Sequence, residues 1–318
     1  MKIYYNISIL IFIAVLCLAG CSKKSGEGNP ELQSQKVSFF YSGTDTEGHS
    51  VLYKYNIGQK KAVPYFIFKN ERLISLSFSK DYETGFALTA EDVNTGRENP
   101  SISGIKIYYI VADSLAPVSM QKLGNALQLF MLRTPEDNLQ LIKQLIDPSI
   151  TNYLKQTTIV YNNFGKEVFN KTTTYDITKE GMPVPPEKQI KTTSPDNKYA
   201  IFFSGSDKKK LAIKNVIEGE KKLITNLESE FIKAEWSSDN KYLAFSAGDI
   251  STPNYKTSIY IYSIIKGNIL DTLKIDKLVN YSICRDYLIF SEIKKGKSVI
   301  SILDLNNPQM VQHVNGTL

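Results

Sequence analysis

The chain has 318 residues, 42% of them apolar, with 38 Lys and Arg against 32 Asp and Glu for a net charge of +6. That length suffices for a large core in one or two domains, and so mild a positive excess reads as no nucleic-acid-binding face. The two histidines, His49 and His313, lie far apart, and the sequence contains no zinc-ligand spacing, no Gly-x-Ser-x-Gly elbow and no Gly-x-x-x-x-Gly-Lys phosphate loop.

In chain order, Lys2 precedes an apolar run from Ile7 to Gly20 broken only by Ser8. At 1.5 Å per residue that run spans roughly 21 Å, short of the ~30 Å hydrocarbon core, as suits a signal-peptide core rather than a membrane span. It ends Leu18-Ala19-Gly20-Cys21, which resembles the lipobox of bacterial lipoproteins. The resemblance implies cleavage after residue 20 and a diacylglyceryl group on the Cys21 thiol, a membrane anchor that places the folded part outside the cytoplasm. Ser22, where inner-membrane lipoproteins carry a retention residue, implies the outer membrane if the organism has one. Cys17 then leaves with the signal and Cys21 carries lipid, so only Cys284 remains and no intramolecular disulfide is expected. Residues 22–35 hold almost nothing apolar and read as a flexible tether with an average reach of roughly 20 Å.

The remaining residues, 36–318, repeat themselves. Ser194-Pro195-Asp196-Asn197-Lys198-Tyr199-Ala200-Ile201-Phe202 recurs 43 residues later as Ser237-Ser-Asp239-Asn-Lys-Tyr-Leu-Ala-Phe245. Weaker copies run from Phe78 to Phe86, through Asp81, and from Arg285 to Phe290. Each copy precedes an alternating apolar strand: Ile105 to Val111, Leu211 to Ile217, Ile259 to Ile265, and Ile300 to Leu305. Val51 to Ile57 begins the series. Ser-Pro-Asp-Asn supplies a β-turn, because Pro fixes φ and Asp and Asn accept tight geometry. Four short strands per ~43 residues match a propeller blade, whose sheet hides both faces only by stacking on its neighbours. The expectation is an all-β β-propeller of about six four-stranded blades, with seven also open. The predicted blades are 36–69, 73–123, 126–178, 180–225, 231–275 and 279–314, the first lacking an evident opening strand.

The motif Ser-Pro-Asp-x-Lys-Tyr-x-x-Phe followed by Ile-Tyr-Ile-Tyr resembles the WD40-like repeats of TolB-type propellers, which also occur in prolyl-oligopeptidase-type enzymes. Residues 191–273 carry the resemblance best. It implies a peptidoglycan-associated or outer-membrane protein as partner. The lipobox and short tether depart from TolB, which has an α/β domain before its propeller and no lipid.

The third segment breaks the pattern. Thr134-Pro135-Glu136-Asp137 has the signature of a helix start, and Leu139, Ile142 and Ile146 follow at helical spacing, with Asp147-Pro148 as a second cap. A short helical insertion is predicted over about 135–155, followed by a strand at Thr157 to Tyr161.

Candidate chemistry is sparse. Asp81, Asp196 and Asp239 occupy equivalent turn positions, where an aspartate bonds its own backbone rather than a ligand. Asp45-Thr-Glu-Gly48 lacks the alternating ligands of a calcium loop. Trp236 precedes a repeat turn and fits packing between blades, with sugar stacking as the alternative. Lys208 to Lys210, Lys221-Lys222 and Lys294-Lys295 read as solvated surface, with an anionic lipid or glycan as the sharper alternative. No catalytic, metal or cofactor residues are assigned. The leading reading is a non-enzymatic, membrane-anchored scaffold binding an envelope protein or ligand on one ring face. Its rivals are a carbohydrate-binding lipoprotein for polysaccharide capture, which needs exposed aromatic platforms, and a propeller-type enzyme, which needs a carboxylate cluster in the channel.

Overall fold

Alternating β-branched and aromatic residues commit most of the chain to antiparallel strands. The computed structural model describes residues 37–79, 82–94, 101–134, 136–146, 152–181, 183, 193–204, 209–248 and 256–315. The predicted signal, Cys21 and the tether therefore lie outside the described residues, as does Asp81.

Six sheets follow one another along the chain. Sheet 1 contains β1 (Ser38–Thr44), β2 (Ser50–Asn56) and β3 (Lys61–Phe68). Sheet 2 contains β4 (Arg72–Phe78), β5 (Thr84–Ala90), a short β6 (Asp92–Asn94), β7 (Ser101–Val111) and β8 (Val118–Ala126). Sheet 3 contains β9 (Gln128–Arg133), β10 (Leu139–Ile146), β11 (Tyr153–Tyr161) and β12 (Glu167–Asp176), and a one-turn helix, α1 (Ile177–Glu180), follows it. Sheet 4 contains β13 (Tyr199–Phe203), β14 (Lys210–Asn215) and β15 (Lys221–Asn226). Sheet 5 runs β16 (Phe231–Trp236), β17 (Tyr242–Gly248), β18 (Lys256–Ser263) and β19 (Asn268–Asp276). Sheet 6 runs β20 (Leu278–Cys284), β21 (Tyr287–Lys294), β22 (Lys297–Asp304) and β23 (Asn307–Asn315).

Among the described residues of the helical insertion predicted over 135–155, no helix forms. Leu139–Ile146 is β10, paired residue for residue with β9 and β11. Thr134 and Asp137 instead close a turn, with the Asp137 N–H donating to the Thr134 carbonyl at 2.9 Å and Asp137 at φ 66°. The misreading has a physical cause. Leu139 and Leu141 pack towards sheet 2 while Ile142 is buried on the other face. A strand covered on both faces loses its alternation and imitates helical spacing. The strand predicted at Thr157 to Tyr161 lies within β11.

Shared cores join five of the six neighbouring pairs of sheets, the last to the first among them. One core joins sheets 1 and 2 through Phe40, Leu52 and Ile110, and another joins sheets 2 and 3 through Phe86, Ile107 and Leu141. Sheets 4 and 5 meet at Ile213 and Trp236, and sheets 5 and 6 at Ile259 and Leu288. Sheet 6 returns to sheet 1, where Ile300 and Ile302 pack on Phe39 and Tyr55. Each such fully buried side chain contributes roughly 1.5–3 kcal/mol. Among the described residues the chain is thus a β-propeller of six sheets.

Register fixes the two faces of the ring. In sheets 2, 4, 5 and 6 the residue after the third strand of the blade donates to the residue before the second: Ala112 to Glu83, Val216 to Lys198, Ile264 to Lys241 and Leu305 to Asp286, at 2.7–2.9 Å. Ile57 donates to Val37 in the same way at 3.0 Å, so β1 is the second strand of its sheet. The end of the ring carrying these turns is here called the turn face; the opposite end, where second strands lead into third, is the loop face.

Candidate functional site

The repeat turns come first. In both full copies a serine hydroxyl accepts the backbone N–H five residues on, Tyr199 to Ser194 and Tyr242 to Ser237, each at 2.9 Å. That hydroxyl donates to the aspartate two residues later, Ser194 to Asp196 at 2.7 Å and Ser237 to Asp239 at 2.8 Å. The aspartates then accept the N–H of Lys198 and Lys241, while Asn197 and Asn240 turn the chain at φ 59° and 61°. Burial would raise both carboxyl pKa values, but these hydrogen bonds hold them below the ordinary range. Pro195 stands at the second turn position, where its fixed φ belongs. Each carboxylate is engaged by its own turn. Trp236 is buried in the core between sheets 4 and 5.

The axis is lined by the first strands. Fourth strands such as β12 and β15 are exposed along much of their length, whereas β4 approaches β9 and β16 approaches β20. Near the loop face the inner strands β4, β16 and β20 each carry a bulge, which places Ser75, Lys233 and Asn280 in the same register. Lys233 Nζ donates to Asn280 Oδ1 at 2.9 Å and to the Tyr281 carbonyl at 2.7 Å, and pairs with Glu235 at 3.0 Å. The Tyr281 hydroxyl donates back to the Lys233 carbonyl at 2.7 Å. This knot joins sheets 5 and 6.

Tyr82 reaches the axis from sheet 2. It sits at φ 60°, the turn position held by Asn197 and Asn240 in the sister copies. Its ring stacks on Phe78, and its hydroxyl is hydrogen-bonded to Ser282 of sheet 6, close to Cys284 and to Glu235 of sheet 5. Burial first, then the nearby Cys284, push the phenol pKa far above 10. Tyr82 therefore links sheet 2 to sheet 6 as a neutral hydrogen-bonding group packed on the core between sheets 1 and 6. Reading the turns for Asp alone missed it. The available signal was an aromatic residue where its sister turns place Asn. Cys284 is buried against sheet 1.

Two polar clusters lie towards the loop face. Glu71 accepts hydrogen bonds from Thr89, Lys106 and Tyr108. In sheet 6, Ser301 Oγ donates to Glu292 at 3.2 Å and lies 2.9 Å from His313 Nδ1. This is not a hydrolase triad, since the serine is fully buried and the acid contacts the serine instead of orienting the imidazole. At the 45–49 loop, Asp45 accepts the N–H groups of Glu47 and His49 and pairs with the His49 ring. Among the described residues no group of three His, Cys, Asp or Glu side chains could hold a metal ion, and no tyrosine or tryptophan stands exposed.

Among the described residues, fold and site together define a six-sheet propeller whose inner strands carry polar groups and in which Tyr82 links sheet 2 to sheet 6. No protein-family model and no curated protein matches the chain. Among solved structures it is similar to TolB from Acinetobacter baumannii, at 14% identity over 89% of this chain with a TM-score of 0.49, and spans 65% of that chain's length. It is also similar to AztD from Citrobacter koseri, at 11% identity over 88% of this chain and 95% of that one, TM-score 0.44. A third is oligogalacturonate lyase from Vibrio parahaemolyticus, at 11% identity over 85% and 86%, TM-score 0.45. These are likenesses of fold; the propeller assignment stands on the sheet packing itself. No helix among the described residues is long and apolar enough to cross a membrane.

Proposed function

We propose that the chain is a membrane-anchored, non-enzymatic propeller scaffold of the bacterial cell envelope, held by lipidated Cys21 and binding a protein partner or ligand across its loop face. Ser22 favours the outer membrane as its site. One observation carries the choice of face. Val37 lies on the turn face, bonded to Ile57, and the proposed tether from Cys21 would join the ring at that end and leave the loop face turned outward. The Lys233, Glu235 and Asn280 knot and the Glu71 cluster then supply charged and amide groups around the outward mouth. Propellers suit such a role because converging loops on a rigid core make a broad binding surface.

The test places a photo-reactive residue at Lys294 on the loop face, or at Lys60 on the turn face, of the membrane-bound protein. Cross-linking to one envelope component from Lys294 but not from Lys60 supports the reading; equal yields, or none from Lys294, would count against it. Cys21→Ser should shift the protein to the soluble fraction. If it stays with the membrane, the anchor reading fails.

A further inference from the structure

The turn between third and fourth strands carries a large exposed apolar side chain in four consecutive sheets. These are Leu115 in sheet 2, Phe164 in sheet 3, Ile217 in sheet 4 and Ile265 in sheet 5, exposed by 98%, 85%, 74% and 78%. Single exposed apolar residues are ordinary, but the same turn in four adjacent repeats is not a random scatter. At such exposure they contribute almost nothing to the core. In the two sheets that close the ring the pattern lapses: Ile57 and Leu305 are buried beside Gly58 and Asn306.

These turns share one face. The preceding sheet stitches three of the four to the body: Lys54 to the Ala112 carbonyl, Tyr109 to the Asn163 carbonyl at 2.7 Å, and Lys222 to the Gly267 carbonyl at 2.7 Å. Isolated side chains on a rigid rim, one per sheet, do not make the contiguous patch or groove that a complementary protein surface would fill. They match a fluid apolar medium, in which each enters separately. Neighbouring charges balance, with Asp113 beside Leu115, Glu218 beside Ile217, Lys166 beside Phe164 and Lys266 beside Ile265. Polyanion attraction is therefore not the driving term.

The anchor proposed at Cys21 points to the medium. Val37 leaves from this same face, sixteen residues after Cys21. The tether expected from the composition of residues 22–35, with an average reach of roughly 20 Å, would keep the rim within touching range of the bilayer at high effective concentration.

We infer that the turn face rests on the bilayer, with Leu115, Phe164, Ile217 and Ile265 inserted among the lipid headgroups as shallow apolar pegs. This inference rests on the anchor reading above. The ring would then be held both by its acyl chains and by an arc of its rim, with the loop face directed away.

The test uses the full lipidated chain in phosphatidylcholine vesicles, with nitroxide labels placed singly through Leu115→Cys, Phe164→Cys, Ile217→Cys and Ile265→Cys, and through Lys294→Cys as loop-face control. Expected are raised collision with oxygen and lowered collision with a water-soluble nickel chelate at the four turn positions only, unchanged by salt. Replacing the three unlabelled pegs by serine should return the remaining label to water while leaving circular dichroism and Tm unaltered, because the pegs lie outside the core. Labels in water in the parent overturn the docking whatever the state of Cys21, and labels shielded from both reagents would show a protein occupant and overturn it too. Loss of immersion at high salt would overturn the apolar account. Intact mass reports acylation of Cys21 separately, so failure of the anchor and failure of the docking are read by different measurements.

Discussion

Phe40 of sheet 1 and Phe78 of sheet 2 stack with centroids 5.0 Å apart and planes 4° from parallel. The stack continues from Phe78 to Tyr82, 5.9 Å away and 6° from parallel, so three rings link the core between two blades to the axis. Gly85 lies under the middle ring, where a Cβ would overlap the Phe78 side chain. Gly85→Ala should therefore cost about 1–3 kcal/mol through overpacking, a fall in Tm of about 3–8 °C at this size. An unchanged melting curve would mean that Phe78 can shift without disturbing its neighbours.

The Glu71 cluster predicts a pH dependence with a definite sign. Burial would raise the Glu71 pKa, but hydrogen bonds from Lys106, Thr89 and Tyr108, with the Lys106 charge, hold it below 4.5. The same bond, against burial, lifts Lys106 above 10.5. A lowered carboxyl stabilises the fold fully above its unfolded value and loses that contribution as pH falls through the folded one; the raised lysine loses its share only at the alkaline end. Glu71→Gln should cost about 1–3 kcal/mol at pH 7, with the gap to the parent closing below about pH 4.5. Urea titrations of both proteins from pH 3 to 8 measure it, and a gap that widens towards acid would reverse the assignment.

Alkaline solution should unfold the propeller through its phenols. Burial raises Tyr41 to about 12, helped by Tyr53 and Tyr55, and raises Tyr161 to about 12, helped by Glu167. Tyr82 is pushed higher still, and Tyr281 well above the ordinary phenol value, in both by burial first. Above pH 10 the unfolded chain releases phenolic protons that the fold retains, so stability falls by up to about 1.4 kcal/mol per pH unit for each such group. Tyr161 donates to Gln121 at 2.7 Å. Tyr161→Phe should be less stable by about 0.5–1.5 kcal/mol at pH 7 through loss of that bond, yet fall more gently with rising pH. Stability measured between pH 8 and 11 would show the two curves converging; parallel curves would place the Tyr161 hydroxyl in water.

Much of this architecture was legible because the repeat is local. Ser194 to Phe202 and Ser237 to Phe245 specify the same turn and strand without reference to the rest of the chain, and six segments followed from their spacing. The failures arose where neighbours decide. Leu139–Ile146 looks helical until sheets cover both of its faces. Tyr82 looks like a degenerate turn residue until the ring brings Ser282 and Glu235 around it. The bulge that sets Ser75, Lys233 and Asn280 in one register leaves no mark in composition. Exposed turn residues such as Ile217 and Ile265 appeared as the last apolar residues of their strands, and only their solvent exposure separates them from the core.

Closure of the ring makes a prediction about cooperativity. Ile302 and Phe39 come from opposite ends of the described chain and are buried in one core, with the Tyr55 hydroxyl donating to Gln312 at 3.0 Å across the same seam. In an open stack, a cavity at one terminal sheet would loosen that sheet alone, since each repeat depends on its nearest neighbours in sequence. In a closed ring the first and last sheets are neighbours. Ile302→Ala should cost about 2–5 kcal/mol and accelerate amide exchange in β1 and β2 as well as in β21 and β22, while β10 and β11 respond least. Exchange that rises in sheet 6 and leaves sheet 1 untouched would show the seam to be open in solution.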